Sequence, residues 1–217
     1  MKTENVLLMK SARESLKGKW GLAIGGSVVY MAVLIASGMV PILGSFASIV
    51  IAGPMILGLT IFFLNVSRNQ ESKIEQLFKG FDNFVLALKT YLWMGLFVFL
   101  WFLLFIIPGI IATYSYAMTF YILADDNSIK ARDAIGMSKK MMAGNKMKLF
   151  LLNLRFFGWV LLCLLTFGIG FLWLFPYINV SQAKFYDDLK KDQNPEEISK
   201  PTTSVEADLK NVLKSEE

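Results

Sequence analysis

Residues 90–124 read TYLWMGLFVFLWFLLFIIPGIIATYSYAMTFYILA, an apolar stretch without a charge, interrupted once by Pro108-Gly109. An uncharged run of about 18 residues or more is a transmembrane helix candidate, and 90–107 reaches that length before the proline. Proline removes a backbone donor and glycine admits a left-handed φ, so the pair predicts a turn. The stretch is expected to fold as a hairpin of two membrane-embedded helices. Its second arm, 110–124, is about 22 Å of helix, short for a full bilayer.

Working outward, the same plan recurs on both sides. Residues 1–19 predict a short surface helix, with Val6, Leu7, Met9 and Leu16 apolar and Lys2, Lys10, Arg13, Lys17 and Lys19 facing headgroups. Trp20 is an interfacial anchor. A hairpin over 20–66 follows, turning at Pro41 and kinked at Pro54. Within polar 67–89, Ile74, Leu77, Phe78 and Phe81 fall on one helical face. After the central hairpin, Asp125-Asp126-Asn127-Ser128 is expected to open a surface helix, favoured by carboxylates at its N-terminus. That helix carries Lys130, Arg132, Lys139, Lys140, Lys146 and Lys148, read as contacts for anionic lipid. A last hairpin, 149–183, turns at Gly168 and Gly170 and is kinked at Pro176. From 190 the chain is polar and proline-containing, with little core of its own; Thr203 and Glu206 form a capping box in it.

The fold class expected is thus an all-α membrane protein. About six embedded helices form three hairpins (20–66, 90–124, 149–183), with basic amphipathic surface helices at about 3–18, 70–83 and 128–146. The membrane domain covers 1–189, and 190–217 is a polar tail. Each unit opens with similar punctuation, Lys17-Gly18-Lys19, Lys79-Gly80-Phe81 and Gly144-Asn145-Lys146. Of 22 Lys and Arg, five lie in 1–19, four in 67–89, six in 126–148 and six in 184–217, leaving only Arg155 inside an apolar run. The turns near Pro41, Pro108 and Gly168 have none. The positive-inside bias then places both termini and all surface helices in the cytoplasm.

Composition excludes several chemistries. Hydrophobic residues make up 55% and charged ones 18%, against about 25% charged in soluble domains. With no histidine, Ser-His-Asp, Cys-His and HExxH arrangements are out. The single Cys163 reads as a small hydrophobe. Asp125 and Asp126 lack the further oxygen ligands a metal needs. A net charge of +5 sits beside hydrophobic runs, which fits anionic headgroups better than nucleic acid. No cofactor, metal or nucleic acid is expected; the partners are anionic membrane lipids and other membrane proteins.

In order along the chain stand Ala12-Arg13-Glu14-x-Leu16-Lys17-Gly18-x-Trp20, Ile107-Pro108-Gly109-Ile110, Ser115-Tyr116, Ile122-Leu123-Ala124-Asp125, Met142-x-Gly144-Asn145-Lys146, Phe157-Gly158-Trp159, Gly168-Ile169-Gly170, Pro176-Tyr177 and Phe185-Tyr186-x-x-Leu189. Together they resemble a bacterial family of integral membrane proteins known as domain of unknown function 975. The resemblance covers roughly 10–190. It implies a multi-pass protein of the bacterial cell membrane and brings no catalytic residues with it. One departure is Arg155, where the family pattern has a small polar residue.

Arg155 lies about 9–10 Å of helix past Leu149; a charge at the helix centre costs roughly 2.5–3.5 kcal/mol on insertion scales, and less where the side chain snorkels. It is read either as snorkelling to the surface or as an intramembrane anion or headgroup contact. The expected function is a non-enzymatic scaffold or accessory protein. A small permease lined by Asn153, Arg155, Thr113, Tyr114, Ser115, Tyr116 and Thr119 ranks second. A lipid-modifying enzyme ranks last, since no nucleophile has a base beside it.

Overall fold

The computed structural model describes residues 3–38 and 43–193; Pro41 and the readings on 194–217, Thr203 and Glu206 included, lie outside the described residues. Among the described residues every regular element is a helix. In order these are α1 (Asn5–Leu16), α2 (Trp20–Gly38), α3 (Leu43–Ser67), a 3₁₀ helix (Ile74–Phe81), α4 (Phe84–Leu104), α5 (Ile106–Tyr116), α6 (Thr119–Asp125), α7 (Ala131–Met141), α8 (Lys146–Leu165) and α9 (Phe171–Gln193).

Five segments are long and apolar enough to cross a membrane: Trp20–Gly38, Ala47–Ser67, Phe84–Leu104, Ile106–Asp125 and Lys146–Leu165. Consecutive long helices pack as neighbours, α2 on α3, α4 on α5 and α8 on α9. Their outward faces are lined by large exposed hydrophobics, reaching 81% exposure at Leu165, and Phe167 in the α8–α9 turn is 98% exposed. α9 differs from the rest. Its first half is apolar, but Lys184, Asp187, Asp188 and Lys190 follow, and the helix runs unbroken to Gln193. Residues 190–193 therefore continue α9, four residues beyond the expected domain edge.

The break between α4 and α5 comes earlier than the expected turn at Pro108-Gly109. The chain breaks at Phe105, whose φ of −161° and ψ of 149° are extended, and Pro108 is the third residue of α5. Proline is tolerated there because the first N–H groups of a helix have no intrahelical partner. Gly109 is helical too, and closeness, not a left-handed φ, is what requires it: a Cβ would lie 2.5 Å from the Phe102 ring of α4. The return arm is also not one helix, since a turn at Ala117-Met118 separates α5 from α6.

Pro54 and Pro176 lie inside helices that continue through them. Around Pro54 the packing is backbone on backbone. A Cβ on Gly58 would run into the Leu77 carbonyl, and one on Gly80 into the Pro54 carbonyl. The 3₁₀ segment therefore lies directly on α3, with Leu77 buried. Its three-residue turn lines up Phe78 and Phe81, and Phe84 at the start of α4 continues the row, successive rings 6.4 Å apart. The α8–α9 turn has Gly168 at φ 86°, and its N–H donates to the Cys163 carbonyl at 3.0 Å. Gly170 donates to the Thr166 hydroxyl at 3.2 Å.

The glycines of the expected punctuation differ in role. Gly18 and Gly144, just past the ends of α1 and α7, both have a left-handed φ, 76° and 74°. Gly80 does not; it is there for close approach.

Candidate functional site: a charged layer around the last helix

The polar half of α9 is surrounded, not exposed. Val180, Ser181, Ala183, Phe185, Tyr186 and Leu189 are buried against α1, α3, α7 and α8. Adjacent residues on a helix point about 100° apart, so Asp187 and Asp188 meet different neighbours.

Asp187 turns to the end of α3. Arg68 donates to it from Nη2 at 2.6 Å and from Nε at 3.1 Å. The other edge of the same guanidinium grips Asp125 at 2.6 and 3.1 Å. Asp125 also accepts from the Tyr186 hydroxyl and from Lys190, both at 2.9 Å. One arginine fork thus joins the ends of α3, α6 and α9, with side-chain exposures of 27% for Arg68, 12% for Asp125 and 19% for Asp187. Burial alone would lower the Arg68 guanidinium's pKa; hydrogen bonds to Asp125 and Asp187 raise it well above its ordinary value. Burial, then the Asp125 charge, pushes the Tyr186 hydroxyl far up, so it stays a donor. The Tyr186 ring stacks on Tyr121 at 5.5 Å.

Asp188 turns the other way. It pairs with Lys148 at 2.7 Å and accepts from the Thr3 hydroxyl, while the Asn5 amide donates to the Lys148 carbonyl at 2.9 Å. This second clamp joins the starts of α1 and α8 to α9.

Two sequence readings change here. Asp125 does not cap the following helix; it ends α6 and belongs to Arg68, while Asp126 makes the local turn by accepting from Ser128. Lys148 is half-buried in its ion pair and is not turned to lipid. Of the other five basic residues, Lys130, Arg132, Lys139 and Lys140 are exposed and Lys146 is partly so. Arg132 lies over the Trp93 ring at 5.0 Å. Arg155 is exposed on the outside of α8, lining an open groove with Thr3, Glu4, Asn5 and Lys148, so it lies at the lateral surface and not in the bundle interior.

α7 is fixed through Ser138. Its hydroxyl donates to the Ser115 carbonyl at 2.9 Å and accepts from the Met118 N–H at 3.2 Å, bridging the α5–α6 break. Nothing in the sequence reading marked that serine. Arg68, Asp187 and Asp188 were equally missed, because each looks like an ordinary solvated charge beside an apolar run. The available signal was Asp187-Asp188 falling one turn past buried Ala183 on a continuing helical pattern. Of the permease candidates, Thr113 and Ser115 donate to carbonyls of α5, their own helix, and Thr119 donates across the α5–α6 break to the Tyr116 carbonyl. Thr113, Tyr114 and Asn153 share one lateral pocket with Gln182.

A fold whose described residues form only helices, five segments of it apolar enough to cross a bilayer, closed at one end by a layer of ion pairs, is consistent with a membrane protein. The family model described as Protein of unknown function (DUF975) matches residues 1–115 and 102–193, and the chain belongs to that family. No curated protein and no solved structure matches it.

Proposed function

We propose that this is a multi-pass protein of the bacterial cell membrane, its six embedded helices arranged as three hairpins and both termini cytoplasmic. It acts without catalysis, as a scaffold or accessory protein that gathers anionic lipid and membrane partners on its cytoplasmic face. The observation that carries the reading is α7. Lys130, Arg132, Lys139 and Lys140 are exposed at or along it and make no ion pair among the described residues. Its opposite face, Ala131, Ala134, Ile135, Ser138 and Met141, is buried. A basic face held rigidly on the embedded helices attracts anionic headgroups, at about 1 kcal/mol per cation before screening.

A permease is the second reading, favoured by the pocket of about 370 Å³ that gathers Thr113, Tyr114, Asn153 and Gln182. Hydroxyls already bonded to nearby backbone carbonyls support it less well than four exposed cations support the first.

The test replaces those four cations by Gln in the full chain and measures lipids and proteins retained on purification from native membrane. The expected result is loss of anionic lipid and of salt-releasable partners with unchanged thermal midpoint. Retention equal to the parent chain sinks the reading.

A further inference from the structure

We propose that the groove between α8 and α9, beneath the corner where α1 meets α2, is a binding site for one anionic phospholipid, its phosphate on Arg13 and one acyl chain along Trp159 and Trp173. The groove holds about 420 Å³, within the size of small-ligand sites. Its walls are almost wholly apolar and include Trp20, Trp159, Trp173 and Tyr177, so three of the chain's five tryptophans stand here. Arg13 is the one charged residue lining it, and Arg13 makes no ion pair among the described residues. A guanidinium fork suits the two oxygens of a phosphate.

The groove is graded as an amphiphile is. At the Arg13 end, the Tyr177 hydroxyl is engaged with the Met9 carbonyl at 3.2 Å, which fixes α9 to α1 and leaves the arginine to meet the headgroup. From Trp159 to Thr166 the walls run about 10 Å down α8. At the far end they close where Gly170 sits against Cys163, a Cβ on Gly170 falling 2.6 Å from the sulfur. Small residues on two facing turns hollow out the floor. Beyond it come exposed Phe167 and Ile169, so the end away from Arg13 is apolar. Charge complementarity selects an anionic headgroup over a zwitterionic one.

The site rests on the membrane reading, but not on the α7 cations, so either can fail alone. The experiment places the full chain, with Trp93 and Trp101 changed to Phe, in phosphatidylcholine nanodiscs and follows tryptophan emission. Dibrominated-chain phosphatidylglycerol is compared with phosphatidylcholine carrying the same brominated chain. One surface cation is worth roughly 1 kcal/mol, which is about a five-fold preference for the anionic lipid in the quenching curves. Arg13→Gln should remove the preference and Arg13→Lys should keep part of it. Lys73→Gln, an exposed cation that belongs to neither the groove nor the α7 face, should leave it unchanged. Equal quenching by the two lipids, a preference that survives Arg13→Gln, or no quenching by either, as when a second protein covers the groove, would each overturn the site.

Discussion

Replacing Arg68 by Leu tests whether the charged layer holds the fold together. Removing one partner of a fully buried ion pair costs about 3–5 kcal/mol, because the other charge is left uncompensated. Here two carboxylates lose their partner, but they keep 12% and 19% of their exposure, and Lys190 still reaches Asp125 at 2.9 Å. Solvent screening and that lysine reduce the expected cost to about 2–3 kcal/mol. In a chain of this size each kcal/mol moves the midpoint by about 2–4 °C, so a drop of about 4–12 °C is expected. Arg68→Lys keeps the charge but loses the fork, and should fall in between. Arg68→Leu with Asp125→Asn and Asp187→Asn should recover part of the loss, since no orphaned charge remains. The control is Lys73→Gln, whose partner Glu71 is 79% exposed; no change is expected there. The assay is thermal unfolding in detergent followed by tryptophan emission at one fixed scan rate, because such unfolding is read as a rate. If Arg68→Leu behaves like Lys73→Gln, the layer is decoration and the reasoning fails.

Gly58→Ala and Gly80→Ala should each cost at least about 3 kcal/mol or abolish folded yield, because the new methyl meets backbone that cannot swing aside. Gly95→Ala, with open space around it, should be neutral or slightly stabilising, and similar losses at all three positions would refute the close-packing account. For topology, single cysteines at Phe105 and Gly168 in a Cys163→Ala background should label from outside intact cells, while those at Lys79 and Lys139 are protected. Labelling of 139 but not of 79 would dismantle the three-hairpin plan.

The parts of the fold legible in the sequence were those that a one-dimensional pattern determines. Length and the scarcity of charge mark apolar runs within 20–66, 90–124 and 149–183. Trp20–Gly38, Phe84–Leu104 and Lys146–Leu165 are the helices found there that are apolar enough for a bilayer, whatever they pack against. Punctuation was less legible because proline and glycine carry more than one meaning. Pro108-Gly109 reads as a turn, yet the extended residue is Phe105, and nothing about an interior phenylalanine announces it. Gly18, Gly80 and Gly144 look alike in sequence; two supply a left-handed φ and the third a missing side chain. Charges were the least legible. Arg68, Asp125 and Asp187 are 57 or more positions apart along the chain, so no local window contains the pairing. Arg13 was read only as one more headgroup-facing cation, since the aromatic walls beside it come from α2, α8 and α9.

α9 shows why counting apolar segments and describing this fold give different answers. On composition it is not one of the five segments apolar enough to cross a bilayer, because Lys184, Asp187 and Asp188 follow too soon after Phe171. Those charges would be expensive only if they faced hydrocarbon. The two aspartates face protein: Asp187 meets the Arg68 fork and Asp188 meets Lys148. Their spacing does the rest, since two consecutive aspartates on a helix point to different sides and can take partners from α3 and α8 at once. A single acidic position could secure only one of them. The same run of residues that disqualifies α9 as a span by composition therefore makes it the post to which both halves of the chain are tied.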